Sequence, residues 1–342
     1  MSLLRLTRRS AGIALLALAA AFSVQAASPT ASPQANIEAI TRAVEAVVGL
    51  EVTATEGARS AETLGRDRTG SGVVIGSDGL ILTIGYLIVE ADAIQVTTFD
   101  NRVVPASPVA YDLATGFGLV RALLPLRGIQ PVTLGNAKEI AADTKLIAVT
   151  GGDEGGVGVT QLMANRPFSG YWEYHIESAL FTSPPLRNHS GAPLFSARGE
   201  LLGIGSLFVG NAMGDNRQVP GNMFVPVDLL KPILAEMQQT GSTRVSHRPW
   251  LGLTSTEHGG RVQIIRVSRG SPAFDAGLGE GDVVLAIDDE KVNTLEGFYK
   301  KLWSRPEAEG DVRLTVLQGS AIRQVTVHSV DRMKTMRKPE GI

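Results

Sequence analysis

The chain has 342 residues, 44% of them apolar, with 32 Lys and Arg against 34 Asp and Glu and a net charge of −2. That length holds two or three domains, each able to bury a core, and the composition excludes a disordered chain. No basic excess exists to neutralise a phosphate backbone, which argues against nucleic acid as a partner, and the absence of cysteine removes thiolate chemistry, disulfides and Cys-ligated zinc.

At the N-terminus, Arg5, Arg8 and Arg9 precede an apolar run from Ala11 to Phe22, and Val24-Gln25-Ala26 places small residues at both cleavage-site positions. This predicts a signal peptide over residues 1–26, cut after Ala26, and hence a periplasmic or secreted protein. The run is shorter than the roughly 20 residues that span a bilayer. Residues 27–35 form a flexible lead-in, and Ile37, Ile40, Val44 and Val47 predict a helix over Asn36 to Val48.

Strands dominate from about residue 48 to 227. The predicted runs are Gly72 to Ile75, Leu80 to Thr83, Ile94 to Phe99, Arg102 to Val104, Gly118 to Leu124, Lys145 to Thr150, Gly156 to Leu162, Leu194 to Ser196, Leu201 to Phe208 and Met223 to Val227. With 38 glycines and only 5% aromatics, they recur at the spacing of an all-β barrel pair. Asp228 to Gln239, closed by Gly241, is predicted as a terminal helix with Pro232 in or just beyond its first turn.

Residues 238–248, rich in Gly, Ser and Thr, are the expected linker between a first domain over 36–237 and a second over 249–330, with a tail over 331–342. The second domain shows strands at Leu251 to Thr256, Arg261 to Val267, Asp282 to Ile287, Val312 to Leu317 and Arg323 to Val327. Helices are expected at Pro272 to Ala276 and Leu295 to Ser304, making a compact α+β module.

The chemistry-bearing segment is Asn188-His189-Ser190-Gly191-Ala192-Pro193-Leu194, which resembles the nucleophile loop of trypsin-fold serine proteases. In such a loop glycines let the backbone turn two N–H groups toward the carbonyl oxygen of the substrate while the serine oxygen sits in front of it. Gly70-Ser71-Gly72-Val73-Val74-Ile75 with Asp78-Gly79-Leu80-Ile81-Leu82-Thr83 resembles the strand pair that carries the catalytic histidine in the HtrA (Deg) family of periplasmic proteases. Met223-Phe224-Val225-Pro226-Val227 also resembles that family. Further on, Arg248-Pro249-Trp250-Leu251-Gly252-Leu253, Gly270-Ser271-Pro272-Ala273, Ala276-Gly277-Leu278 and Gly281-Asp282-Val283-Val284 look like a PDZ domain of the HtrA type. The resemblance implies a mainly β protein, a trypsin-like double β-barrel followed by an α+β PDZ domain.

The triad departs from the family pattern. The family's histidine position falls on Tyr86, and Asp112-Leu113-Ala114-Thr115-Gly116-Phe117-Gly118-Leu119 places Gly116 where the orienting aspartate belongs. Asp112 matches that aspartate only with a four-residue insertion before the strand. Ser190 keeps its identity, whereas Asn188 and Ala192 replace glycines of the oxyanion loop formed by Asn188, His189 and Ser190. A tyrosine of ordinary pKa near 10 is a poor general base, and neighbouring side chains in a turning backbone point apart, so His189 is expected to face away from Ser190. His175, His247, His258 and His328 sit in no motif and read as structural.

These observations point to a secreted HtrA-like homologue that has lost catalysis and binds C-terminal or unfolded peptides. Trp250, Leu251, Gly252 and Leu253 would receive the terminal carboxylate. Two alternatives stand beside it: an active endopeptidase using Ser190 with a displaced base, and a scaffold or chaperone-like subunit co-assembling with active paralogues, since the family commonly forms trimers. No metal or cofactor is expected.

Overall fold

A computed structural model describes residues 33–153, 155–214 and 217–337. The expected signal peptide, its cleavage point, most of the lead-in and the end of the tail lie outside the described residues. The described residues divide into two compact units, one from 33 to 166 and 178 to 242 with 337, and one over 167–177 and 243–336.

The first unit opens with helix α1 (Pro33–Glu45), which buries Ile40 and Ala43 and leads into β1 (Val47–Ala54). A closed six-stranded barrel follows, built with β2 (Asp67–Val74), β3 (Leu80–Ile84), β4 (Ala91–Thr97), β5 (Val103–Tyr111) and β6 (Phe117–Ala122) in the order β1-β2-β3-β6-β5-β4. Two one-turn helices interrupt it, α2 (Ala61–Leu64) and α3 (Gly85–Ile88). The second closed barrel runs β10-β11-β12-β9-β8-β7. Its strands are β7 (Lys145–Thr150), β8 (Gly156–Gly170), β9 (Tyr174–Ser183), β10 (Pro193–Phe195), β11 (Leu201–Val209) and β12 (Gly221–Pro226). Closure leaves neither sheet an unpaired edge. Leu146, Ala148, Leu162, Leu180, Leu194, Leu202 and Phe224 fill the second barrel.

Several element limits differ from expectation for physical reasons. The expected helix over Asp228 to Gln239 is a 3₁₀ turn (Val227–Leu229) and a separate short helix α4 (Leu234–Thr240), because Pro232 between them brings no N–H to a continuous ladder. The opening helix stops at Glu45, since Val47 and Val48 are β1 residues paired with Val73 and Gly72. The expected strand over Arg102 to Val104 is the start of the nine-residue β5. Strand β9, absent from the sequence reading, completes the second barrel, and β8 continues past Leu162 to Gly170.

In the second unit a sheet runs β13-β19-β18-β16-β15-β14 through β13 (Pro249–Trp250), β14 (Leu253–His258), β15 (Arg261–Val267), β16 (Val283–Ile287), β18 (Gly310–Gln318) and β19 (Ala321–Asp331), with β17 (Glu290–Lys291) on β16. Helix α5 (Pro272–Asp275) is capped by Ser271 and α6 (Leu295–Trp303) by Thr294, whose Oγ1 accepts from Gly297 N–H at 3.0 Å. The α6 residues Leu295, Phe298, Tyr299 and Leu302 share one face and are buried, as an i, i+3, i+4, i+7 pattern requires. Within the expected linker, Thr243 and Ser246 are buried and the division between units falls after Ser242. Among the described residues no helix is long and apolar enough to cross a membrane.

Candidate active site

Strand β3 is buried at every position and passes directly into α3, which carries Tyr86. Two contacts fix this turn of helix. Gly85 N–H donates to the Gly116 carbonyl at 2.7 Å at its start, and Arg68 of β2 covers its end, donating from Nη1 to the carbonyls of Tyr86 at 3.0 Å and Val89 at 2.8 Å. The same guanidinium reaches the Gly65 carbonyl (3.0 Å) and Ser60 Oγ (2.8 Å) and is only 5% exposed. A cation over the last carbonyls of a helix satisfies groups that have no partner within it.

Ser60 in turn donates from its backbone N–H (2.8 Å) and hydroxyl (2.6 Å) to Glu90, which also accepts from Arg337 N–H at 2.8 Å. Burial pushes the Glu90 carboxyl up, but these hydrogen bonds outweigh it and hold the group below the usual carboxylate range.

Ser190 lies in the turn before β10. Ala192 N–H donates to the His189 carbonyl at 3.0 Å, closing a β-turn with Ser190 and Gly191 at its centre. Gly191 takes φ +72°, and a Cβ there would stand 2.0 Å from the Ser71 carbonyl oxygen, so both turn and packing require glycine. Ser71 N–H donates to the Ser190 carbonyl at 2.9 Å and Gly191 N–H to the Gly205 carbonyl at 2.8 Å, which pins the turn between β2 and β11.

The expected pair meets. Tyr86 Oη lies 2.8 Å from Ser190 Oγ and 2.8 Å from the carbonyl oxygen of Ser206 on β11. A phenol has one proton and a carbonyl can only accept, so all three atoms are satisfied when Tyr86 donates to Ser206 and the Ser190 hydroxyl donates to the phenol oxygen. Burial pushes the Tyr86 pKa up to about 12, with the Ser190 contact working against it. At pH 7 the phenolate fraction is then about 10⁻⁵. The atom facing the serine proton therefore already holds its own.

Gly116 has φ +84°, and its N–H donates to the Asp112 carbonyl at 2.7 Å. The fully buried Asp112 carboxylate accepts from Thr115 N–H (2.8 Å) and Thr115 Oγ1 (2.5 Å), closing its own loop. A phenol offers no second ring N–H, so a carboxylate at 112 or 116 finds no imidazole to orient. Asn188 keeps a φ outside the left-handed region, and Ala192 is fully buried.

The five histidines are all described, and four of them belong to the second unit. His189 shares the unit of Ser190, but its Nδ1 engages the Arg187 carbonyl at 3.1 Å; burial pulls its pKa down against the Arg187 and Leu186 carbonyls. In the second unit His247 Nδ1 meets Asp331 at 2.7 Å, His328 Nδ1 meets Asp311 at 2.9 Å, and His175 Nδ1 meets Ser169 at 2.9 Å.

Sequence reading missed Ser206, Arg68, Glu90 and one further acid, Glu173. In the second unit Leu251, Gly252 and Leu253 do present their N–H groups to a carboxylate, and that carboxylate is Glu173: Oε2 accepts from Leu251 at 3.1 Å, Oε1 from Gly252 at 2.8 Å and from Leu253 at 2.7 Å. Trp250 precedes them on β13, paired with Val330. Burial pushes the Glu173 carboxyl up, opposed by the three amides and the Arg332 charge. For metals, His175, Glu177 and Glu296 bring ligand atoms within 4.8 Å of one another, but Lys300 Nζ already bridges Glu177 (2.8 Å) and Glu296 (2.6 Å).

A family profile for the trypsin-like peptidase domain matches residues 70–204, spanning Tyr86 and Ser190, and one for the PDZ domain matches residues 249–328. Relatives are named as serine proteases. The chain is 26% identical over 281 residues to a "Probable periplasmic serine endoprotease DegP-like" of Halomonas elongata, covering 77% of this chain and 56% of that one. It is 27% identical over 271 residues to "Serine endoprotease DegS" of Haemophilus influenzae, covering 75% and 76%. The chain carries a trypsin-like peptidase domain followed by one PDZ domain, and its relatives are named as DegP and DegS proteases. Its fold matches the "HtrA-type protease AlgW with tripeptide" with a TM-score of 0.53 at 21% identity, over 89% of this chain and 98% of that one. The chain spans about half the length of the curated relatives it first matches.

Proposed function

We propose that this chain is an exported, non-proteolytic homologue of the HtrA (Deg) proteases that binds C-terminal or unfolded peptides in quality control or regulation. The observation that carries the reading is the Tyr86 phenol, protonated and 2.8 Å from Ser190 Oγ where a base is needed. Removing the base of a serine protease costs about 10⁶-fold in kcat, which from an ordinary rate of about 10 s⁻¹ leaves about one turnover per day. The PDZ domain and the peptide complexes of structural neighbours support peptide binding. The test is hydrolysis of an unfolded protein by the purified mature chain beside its Ser190→Ala variant. Equal, background rates are expected; Ser190-dependent turnover on the scale of seconds would return the chain to the active enzymes.

Export is supported by the basic start and short apolar run before Ala26 and by the periplasmic name of the relatives. Mass spectrometry of the native protein is expected to find Ala27 as the first residue. Recovery of intact Met1 in a membrane fraction would replace cleavage with anchoring.

A further inference from the structure

We infer that the carboxylate-binding loop of the PDZ domain carries a built-in ligand, the segment Tyr171–Glu173, and that a free C-terminal peptide binds only by displacing it. Residues 167–177 belong to the same compact unit as the PDZ sheet, so this is a contact within one unit.

The geometry copies the way an added peptide strand would dock. Glu173 closes three successive N–H groups, those of Leu251, Gly252 and Leu253, with the two oxygens of one carboxylate. Two residues back along the segment, the Tyr171 carbonyl accepts from Ser255 N–H at 2.8 Å, two residues forward along β14. One backbone bond and the side-chain carboxylate thus step by two in opposite directions, as a peptide running antiparallel to β14 would, so the segment occupies the carboxylate loop and one backbone donor of the sheet edge that a peptide ligand would add to. Tyr299 Oη accepts from Glu173 N–H at 3.2 Å and donates to the Gly170 carbonyl at 2.9 Å, while Arg248 and Arg332 donate to the carbonyls of Glu173 (3.4 Å) and Trp172 (3.5 Å).

Glu173 itself is 3% exposed and takes φ +58°, a conformation that a glutamate adopts only when its surroundings impose it. A side-chain carboxylate and an α-carboxylate offer the same two oxygens, so occupancy is exclusive. The internal ligand competes at an effective concentration on the order of millimolar, and the apparent affinity for an added peptide falls by the fraction of loops that are open.

The inference takes from the proposed function only the class of competing ligand. The mature full-length chain, its Glu173→Ala variant and its Glu173→Gln variant are titrated with a peptide ending in a free valine carboxylate and with its amidated twin. Amide hydrogen exchange of Leu251, Gly252 and Leu253 is followed in the same samples. The expected result is free-acid binding that is at least about tenfold tighter in Glu173→Ala than in the wild type, intermediate in Glu173→Gln, and absent for the amide. Exchange at the three amides is expected to rise at least about tenfold in Glu173→Ala without peptide. Equal free-acid affinity in wild type and variants, or unchanged exchange, overturns the built-in ligand. Raised exchange with no binding of either peptide keeps the built-in ligand and overturns the peptide-binding reading instead. Should the alanine variant not fold, the glutamine variant carries the same comparison, because it retains one acceptor oxygen and loses the charge.

Discussion

A fluorophosphonate probe is expected to label this chain no faster than its Ser190→Ala variant. The probe reports a serine oxygen made nucleophilic by a base that takes its proton, and an oriented base contributes by far the larger part of that reactivity. Here the Ser190 hydroxyl faces Tyr86 Oη at 2.8 Å, and the phenol pKa of about 12 leaves it no capacity to accept a proton at neutral pH. On the proposed reading, the expected deficit relative to a working serine hydrolase is about 10⁶-fold. Tyr86→His combined with Gly116→Asp is expected to raise labelling above the Ser190→Ala background. The gain is limited by Asn188 and Ala192 in the loop and by the φ of +84° that an aspartate would inherit at 116. Rapid Ser190-dependent labelling of the unmodified chain would reject this account and make His189 the first residue to substitute.

The second large effect is on stability. Arg68→Ala is expected to destabilise the first unit by at least about 3 kcal/mol, since it leaves several acceptors without their donor at about 1–3 kcal/mol for each buried one. The guanidinium supports the carbonyls of Gly65, Tyr86 and Val89 and the Ser60 hydroxyl, and faces the Glu90 charge. Arg68→Lys is expected to rescue little, because an ammonium cannot fork across those acceptors. Urea unfolding checks both; a loss under about 1 kcal/mol for the alanine variant would contradict the role given to this cluster. The companion substitution Glu90→Gln carries a pH signature. Because the folded carboxyl sits below its ordinary value, its contribution is present above about pH 4.5 and lost as pH falls through the folded pKa. The stability gap between wild type and Glu90→Gln is therefore expected to be full at pH 7 and to shrink in acid; a gap that grows in acid would reverse the sign.

The barrels were legible where a strand is a short apolar run between turns, as at Leu80 to Thr83 or Lys145 to Thr150. Strand β9 was not, because Glu177 and Ser178 interrupt its apolar residues, and the outer half of β8 was not, because Asn165, Arg166 and Pro167 carry no alternation. Those residues extend by pairing with each other as a hairpin, a tertiary decision that local pattern does not record. Tyr86 and Ser190 were found through motifs on either side of them. Ser206, Arg68 and Glu90 act through bonds to residues elsewhere in the chain. Glu173 lies 78 residues from the first amide it closes, in a turn with no motif of its own.

The bond between Tyr86 and Ser190 also bears on how this lineage can change. Members of a catalytic triad contribute as a unit, so regaining one lost member returns almost nothing to the rate. A histidine at 86 would give up the bridge to the Ser206 carbonyl, and an aspartate at 116 would enter strained backbone, before either repaid its cost in turnover. On the proposed reading, proteolysis thus requires both changes together, each unfavourable alone. Ser190, meanwhile, completes the hydrogen bonding of a half-buried tyrosine. On the proposed reading, a serine at 190 fills that hydrogen-bonding role and is no sign of hydrolytic capacity.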